Sequence, residues 1–507
     1  MNGTRAFTKK YGRKQTIGRV QTPTLAMLAE RQAKIQNFVK EPYYKVELSG
    51  AGVVAVSEQM TQEQDADTVQ AACDGQCAVV GSIERKRIEK KPPKLYDLTT
   101  LQREANRYYG LAASQTLQAL QELYEEKLVT YPRTDSQFVT EDMRKTVESL
   151  VLALDGTAAG VSCVINNSRV TDHHAILPTM QGVNCNRERL SETNRKVFSL
   201  VIWKLVQAVQ SPFIYEDVLV TVCCQGQNFT AKYKDILQPG YTAKSVPFVE
   251  PEKDKDVPLP KKMEQGMVLP VVRAEKKQGF TSPPKVYTED TLLSAMETAG
   301  NDQFDDDTEK KGLGTPATRA GIIEKLVKSG FAERKGKSLI PTKDGCNLVC
   351  VLPEQITSPA MTAEWENTLM EIERGKADAD AFLSGIVRMT GDLVKAYPFL
   401  SDAEAQRFGT GKEEIGKCPR CGSPVYVGKG NFYCSNKACS FCLWEDNKFF
   451  SSKKKKLTKR IAKELLDKGW CRVTGLYTPK KPQLYDAVIR LDDSGGKYVS
   501  FKMEFDR

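Results

Sequence analysis

The chain has 507 residues, of which 40% are hydrophobic and 27% charged, so it reads as a soluble, globular chain of several domains. No apolar run approaches the roughly 18–20 residues needed to cross a bilayer, and "MNGTRAFTKKYGRKQTIGRVQ" lacks the apolar core of a signal peptide, which leads us to expect a cytoplasmic protein with no membrane partner. The net charge of +10 is unevenly placed: Lys417 to Arg507 hold 20 Lys/Arg against 9 Asp/Glu, so a basic tail that suits a polyanion follows a near-neutral body.

In chain order, "TPTLAMLAERQAKIQNF" (22–38) carries apolar residues at helical spacing, with Thr22 as N-cap and Pro23 at the first helical position. It closes an N-terminal segment, 1–42. Short β-type runs, "YYKVELSG" and "AVVGSIERKRI", fill 43–91. Helical patterns occupy 92–211, β-type runs return over 212–282 ("FIYEDVLVTVCC", "MVLPVVRAE"), and helices follow over 283–400. A polar linker (401–416) leads to a cysteine cluster (417–445) and a basic α+β segment (446–507). Part of this alternation is a repeat. "PPKLYDLTTL" (92–101) resembles "PPKVYTEDTL" (283–292), and each precedes a helix that feeds a short extended segment, as in winged helical modules. The second copy has Ala332-Glu333-Arg334 where the first has Tyr131-Pro132-Arg133.

That tyrosine is the first chemical signal. Pro132 biases Tyr131 to an extended backbone, and in a strand residues i and i+2 point the same way, so Tyr131 and Arg133 can face one phosphate. A phenol rarely ionises at neutral pH, and a guanidinium both favours the phenolate and neutralises the phosphate under attack. The resulting phosphotyrosine stores the bond energy of the phosphodiester it replaces, so resealing needs no ATP. The alternative is an ordinary packed tyrosine. The only two histidines are adjacent in "RVTDHHAILPT" (169–179), where one imidazole turned outward can donate to phosphate. "GLGTPATRAG" sets two glycines before Thr315 and Pro316, so a helix N-terminus with Thr318 and Arg319 beside it offers an anion seat. "GRVQT" brings Arg19 and Gln21 ahead of the first helix as contacts to nucleic acid; simple capping is the alternative for both motifs. "GKS" (336–338) lacks the upstream glycine of a P-loop, which argues against a nucleotide-driven motor.

Four stretches, "IGRVQTPTLAMLAER" (17–31), "LVTYPRTDS" (128–136), "DHHAILPT" (172–179) and "GLGTPATRAGII" (312–323), stand in the order and spacing of the type IA DNA topoisomerases, and "TYPRTDS" and "GTPATRA" are most similar to the topoisomerase III branch. The resemblance implies an α+β multidomain fold: helical winged-helix-like modules linked by a β-rich arch into a toroidal core, followed by a zinc ribbon and a small α+β domain. It implies that Tyr131 cleaves single-stranded DNA and keeps the 5′ phosphate, with Arg133 and His173 assisting, in a nucleoid-associated protein. The family's Mg²⁺-binding (toprim) domain, with its general-acid glutamate and Asp-x-Asp-x-Glu cluster, does not occur in the sequence; the acidic "DQFDDDTEKKG" (302–312) reads as a solvated loop. Mg²⁺ is therefore expected for activity with its ligands outside this chain, on a missing segment or on a separate toprim-like partner. The rival readings are a truncated, non-catalytic single-strand-binding protein and, disfavoured by the adjacent histidines, a tyrosine recombinase.

In "CPRCGSPVYVGKGNFYCSNKACSFCLWED" the Cys418-x-x-Cys421 knuckle and a second set opened by Cys434 have the spacing of a zinc ribbon. Five cysteines compete for four positions: the resemblance favours Cys439 as the fourth Zn²⁺ ligand, and the compact Cys439-Ser-Phe-Cys442 spacing keeps Cys442 available. Phe432, Tyr433, Phe441 and Trp444 interleave with lysines, a pattern suited to stacking single-stranded bases.

Overall fold

The computed structural model describes residues 4, 8, 16–154, 160–170, 172–250, 259–260, 263–299, 312–396, 414–436, 438–478, 483–494 and 499–504. The expectations for most of the N-terminal segment 1–15, the acidic stretch up to 311 and most of the linker lie outside the described residues. The chain divides into two compact units, one spanning Thr16–Gly391 and the other containing Asp392–Arg507.

The first unit opens with helix α1 (Gln21–Gln36), which starts two residues earlier than expected, with Val20 rather than Thr22 at the N-cap. Thr22 lies in its first turn, buried, and its hydroxyl accepts from the Gly18 amide at 3.1 Å. Strands β1 (Pro42–Gly50), β2 (Val53–Val56) and, after helix α2 (Glu63–Cys73), β3 (Ala78–Lys90) belong to the first β-rich stretch. β4 (Phe213–Cys224), β5 (Gln227–Gln238), β6 (Val268–Leu269) and β7 (Arg273–Phe280) belong to the second. The two stretches form one antiparallel sheet in the order β6-β3-β4-β5-β2-β1-β7. Alternation explains it: along β4, Val218, Val220, Val222 and Cys224 turn inward against Phe229, Val46 and Leu48. Each such side chain contributes roughly 1.5–3 kcal/mol of apolar burial.

The first helical module hangs between β3 and β4. It contains α3 (Leu98–Tyr109), α4 (Ala113–Glu125), α5 (Arg144–Leu154) and the deeply buried α6 (Glu192–Ala208). Its core gathers Tyr96, Leu101, Leu120, Leu123, Val197, Phe198 and Val201. The second module holds α7 (Glu289–Thr298), α8 (Pro316–Lys328), the hairpin β8 (Ala332–Lys335)–β9 (Ser338–Pro341), α9 (Lys343–Val351), α10 (Pro359–Glu373) and α11 (Ala379–Ala396). The sequence repeat has a physical basis at the caps. "PPKLYD" ends on Asp97, which caps α3 by accepting from the Thr100 amide at 2.6 Å. "PPKVYT" ends on Thr288, which caps α7 through the Thr291 amide at 3.2 Å.

In the second unit, β10 (Glu414–Lys417), β11 (Pro424–Val427), β12 (Asn431–Cys434) and β13 (Cys442–Trp444) form a four-stranded sheet. Helix α12 (Lys459–Lys468) and the sheet β14 (Trp470–Thr478)–β15 (Gln483–Asp492)–β16 (Ser500–Glu504) follow. Phe432, Phe441, Phe450, Leu457, Ile461, Leu465, Val473 and Ile489 make a single core. This shared core crosses the expected boundary at 445/446.

Candidate active site and metal centre

Helix α4 ends because Lys127 turns into the left-handed region (φ 60°), after which the Leu128 amide reaches back to Leu123 O at 2.9 Å. The chain then runs extended. Tyr131, Arg133 and Asp135 point outward, whereas Pro132, Thr134 and Ser136 are buried between them, the alternation that strand geometry imposes. The strand is laced to the histidine segment: the Thr130 amide donates to Leu177 O at 2.9 Å, the Leu177 amide to Thr130 Oγ1 at 2.9 Å, and the Thr179 amide to Leu128 O at 2.9 Å. Thr134 Oγ1 donates to His173 O at 2.9 Å.

This lacing puts the Tyr131 and His173 rings 4.3 Å apart, centroid to centroid, and Tyr124 meets Tyr131 edge-on at 5.6 Å. Tyr131 is 36% exposed, so its ring is open to a ligand rather than in the core. The two histidines separate in role. His173 is exposed beside the tyrosine, and His174 turns Nδ1 to Ala175 O at 2.7 Å. Beside them lies a cavity of about 150 Å³, walled on one side by Arg133, Thr134, Asp135, Asp172 and His173 and on the other by Thr315, Pro316 and Ala317. The second wall is the first turn of α8, where Pro316 has no N–H and the capping box engages the Thr315 and Thr318 amides, so the Ala317 amide and the helix dipole are what favour an anion. Gly314 (φ 71°) permits that approach: a Cβ there would press on Thr318 Oγ1 at 3.2 Å and Val20 at 3.4 Å.

The remaining expected contacts fare differently. Arg19 is exposed just ahead of α1. Gln21 is only 8% exposed, and its Nε2 is buried without a hydrogen-bond partner. Thr318 Oγ1 accepts from the Thr315 amide at 3.0 Å, closing a capping box instead of reaching outward. Arg319 corrects the sequence reading. It is 4% exposed, and its guanidinium donates to Leu313 O at 3.2 Å, Thr99 Oγ1 at 3.0 Å and Glu297 Oε1 at 3.3 Å. Burial lowers its pKa, with Glu297 and Asp97 opposing. It faces inward because three acceptors wait there, and it does not reach the surface to touch a strand.

Sequence reasoning missed the groups behind the tyrosine strand. Asp97 accepts from Gln137 Nε2 at 2.9 Å as well as from Thr100, and burial pushes its carboxyl up to about 6. The Leu98 amide donates to Thr134 O at 3.1 Å. The only signal for Asp97 was its place before a helical run, which marks a cap and not a site.

In the second unit the sulfurs of Cys418, Cys421, Cys434 and Cys439 all lie within 4.8 Å of one another. Cys418 and Cys439 are 3.7 Å apart and Cys421 and Cys434 3.4 Å. Tetrahedral zinc with bonds of about 2.3 Å sets its sulfurs roughly 3.8 Å apart, so the four thiolates fit a metal ion such as zinc. Cys442 opens β13 and its sulfur accepts from Asn431 Nδ2 at 3.5 Å, outside the cluster. The aromatic reading changes too: Phe432 and Phe441 are core residues, leaving Trp444, 51% exposed, and the half-buried Tyr433 at the surface.

A family model described as DNA topoisomerase matches residues 1–384. The chain belongs to the type IA DNA topoisomerases. It is 34% identical over 477 residues to DNA topoisomerase 3 of Bacillus licheniformis, covering 87% of this chain and 64% of that protein. To DNA topoisomerase 3 of Bacillus subtilis it is 34% identical over 474 residues, with the same 87% and 64%. The chain thus spans a little under two thirds of the length of these relatives. The full-length topoisomerase I of Thermotoga maritima shares the fold, with a TM-score of 0.61 at 22% identity over 87% of this chain and 72% of that one. No helix among the described residues is long and apolar enough to cross a membrane.

Proposed function

We propose that this chain is the strand-cleaving and strand-holding core of a topoisomerase III-like enzyme. In this reading Tyr131 Oη attacks a phosphodiester of single-stranded DNA, forms the 5′-phosphotyrosine bond and releases the 3′ oxygen, which takes up a proton. Reversal of the same step reseals the strand without ATP after another strand has passed, relaxing or decatenating DNA. Arg133 neutralises charge on the attacked phosphate and His173 assists as a hydrogen-bond donor, while the first turn of α8 seats one of its oxygens. Arg19 holds the strand nearby, in a core of toroidal shape, while the buried Gln21 does not reach it, and the Cys418–Cys439 cluster holds Zn²⁺ to fix a single-strand-binding appendage.

The observation that carries this reading is the exposed Tyr131 ring 4.3 Å from His173, which with Arg133 walls a cavity whose opposite side is a helix N-terminus. Among the described residues the sole cluster suited to a metal is the four cysteines, whose thiolates do not suit Mg²⁺, an ion that takes oxygen ligands. We propose that a toprim-like segment or partner chain supplies it together with the general acid. The same observation favours the second reading, a single-strand-binding protein without cleavage activity. The chain is incubated with single-stranded oligonucleotide and Mg²⁺, with and without a supplied toprim domain, and denatured. A covalent adduct that depends on the added domain and is lost in Tyr131→Phe is expected. An adduct that survives Tyr131→Phe refutes the assignment, and salt-sensitive binding without adduct in either case selects the second reading.

A further inference from the structure

A run of direct hydrogen bonds connects the two walls of the cavity from behind, and Arg319 is its centre. Through Nε it holds Leu313 O, and so the turn that delivers Thr315 and the start of α8. Through Nη1 it crosses to Thr99 Oγ1, in the first turn of α3. The preceding residue of α3, Leu98, donates its amide to Thr134 O, and Thr134 Oγ1 donates to His173 O. Gln137 Nε2 fastens the tyrosine strand to the same turn through Asp97 Oδ2 at 2.9 Å and Thr100 Oγ1 at 2.9 Å. The pattern exceeds what charge neutralisation requires. Glu297 pairs the guanidinium, and two neutral acceptors, Leu313 O and Thr99 Oγ1, lie one behind each wall.

We propose that Arg319 is a positioning residue that sets the separation between the α8 N-terminus and the Arg133–His173 wall without touching the strand. The inference rests on the reading of the cavity as a phosphate seat. A guanidinium suits the task because its donors are fixed in one plane, so three acceptors on different elements lock their mutual distances; an ammonium has no such fork. The gap matters because a misplacement of about 1 Å at such a site is worth roughly a hundredfold in rate. Arg319 thus belongs to the site although it is buried away from its surface.

The test uses the full chain and inorganic phosphate as probe. With two histidines in the sequence, ring resonances report His173 with a single rival signal. Arg319→Met removes the bridge, Thr99→Val removes its far anchor with the arginine intact, and Ile323→Val trims a buried methyl on the same helix as control. Arg319→Met and Thr99→Val are each expected to weaken the phosphate-induced shift of His173 about tenfold in affinity and to speed exchange of the Leu98 and Ser136 amides about tenfold, whereas the control stays within about twofold. If both variants melt earlier yet keep the parent's phosphate affinity and exchange rates, Arg319 is a structural ion pair and the proposal is overturned. It is overturned equally if Arg319→Met loses phosphate while Thr99→Val does not, since the arginine is then itself a ligand. If the parent's His173 ignores phosphate while exchange at Leu98 and Ser136 still rises in both variants, the phosphate-seat reading falls and the positioning role stands.

Discussion

Replacing Asp97 by asparagine isolates one buried charge whose behaviour with pH is set by the fold. Burial is the main cause that lifts the carboxyl from 3.8 to about 6; the Thr100 amide pulls it down, and Glu297 pushes it further up. A rise of about two pH units at about 1.4 kcal/mol per unit corresponds to roughly 3 kcal/mol. Because the folded state binds the proton more tightly than the unfolded one, this stability is fully present below about pH 4 and lost as pH rises through about 6. Asparagine keeps an acceptor for the Thr100 amide but gives up the bond from Gln137, a loss of about 1 kcal/mol. The variant is therefore expected to be less stable than the parent at pH 4 and more stable, by about 2 kcal/mol, at pH 7. Hydrogen exchange of the α3 amides, corrected for intrinsic rates, reads this region without assuming that both units unfold together. Parallel pH profiles would refute the reasoning. A variant that loses more stability at pH 7 than at pH 4 would show that Arg319 holds Asp97 ionised and that burial is the lesser effect.

Three further outcomes follow from the packing. Gly182→Ala places a methyl 2.2 Å from Leu128 O, the carbonyl that anchors the histidine segment to the tyrosine strand; a loss of about 2–3 kcal/mol by thermal melting is expected, and an unchanged melt would show that the seam yields. Lys204→Met leaves the largely enclosed Glu104 without the ammonium now 2.8 Å away, with Tyr96 its remaining partner; a loss of about 3–5 kcal/mol is expected on unfolding the first unit, and a neutral result would mean that the ion pair gains nothing over its desolvation. After loading with Zn²⁺, chelation, or Cys434→Ser, should abolish the near-ultraviolet signal of Trp470 and the ordered amides of α12 together with the ribbon, because Phe432, Leu465 and Ile489 share one core. Survival of β14–β16 after chelation would contradict a single folding unit.

The sequence made legible those parts of the site that depend on local geometry. The alternation at 131–136 follows from Pro132 and strand periodicity alone, and the start of α8 follows from Gly314, Thr315 and Pro316. What stayed hidden depends on which partners converge from afar. Arg319 was read outward because a cation beside a helix N-terminus suits a phosphate; its burial is decided by Thr99 and Glu297, which lie 220 and 22 residues away. Phe432 and Phe441 were read as stacking platforms because aromatics amid lysines look alike on a surface and in a thin core, and only the arrival of α12 and β15 tells them apart. The cysteine choice was open for the same reason: spacing allows Cys439 and Cys442 alike, whereas β13 carries Cys442 away from the cluster.

The repeat explains why one module carries the chemistry and its twin does not. Both α4 and α8 end in a left-handed residue, Lys127 (φ 60°) and Gly330 (φ 74°), and in each the next amide reaches five residues back, Leu128 to Leu123 and Phe331 to Leu326. Alignment on these turns places Tyr131 opposite Arg334, two residues away from the match that the tripeptides suggest. After the turn the copies diverge in their choice of partner. Ala332–Lys335 pairs with the adjacent Ser338–Pro341, so the hairpin is closed locally, and Arg334 is held by Glu289 at 2.7 Å and by Glu324. The tyrosine strand instead finds its partner some 45 residues on, in the segment that brings His173. A local hairpin stabilises its own module; a distant pairing delivers a second reactive side chain. The divergence therefore lies in which strand is recruited, and the tyrosine gains a function because its neighbour arrives from elsewhere in the chain.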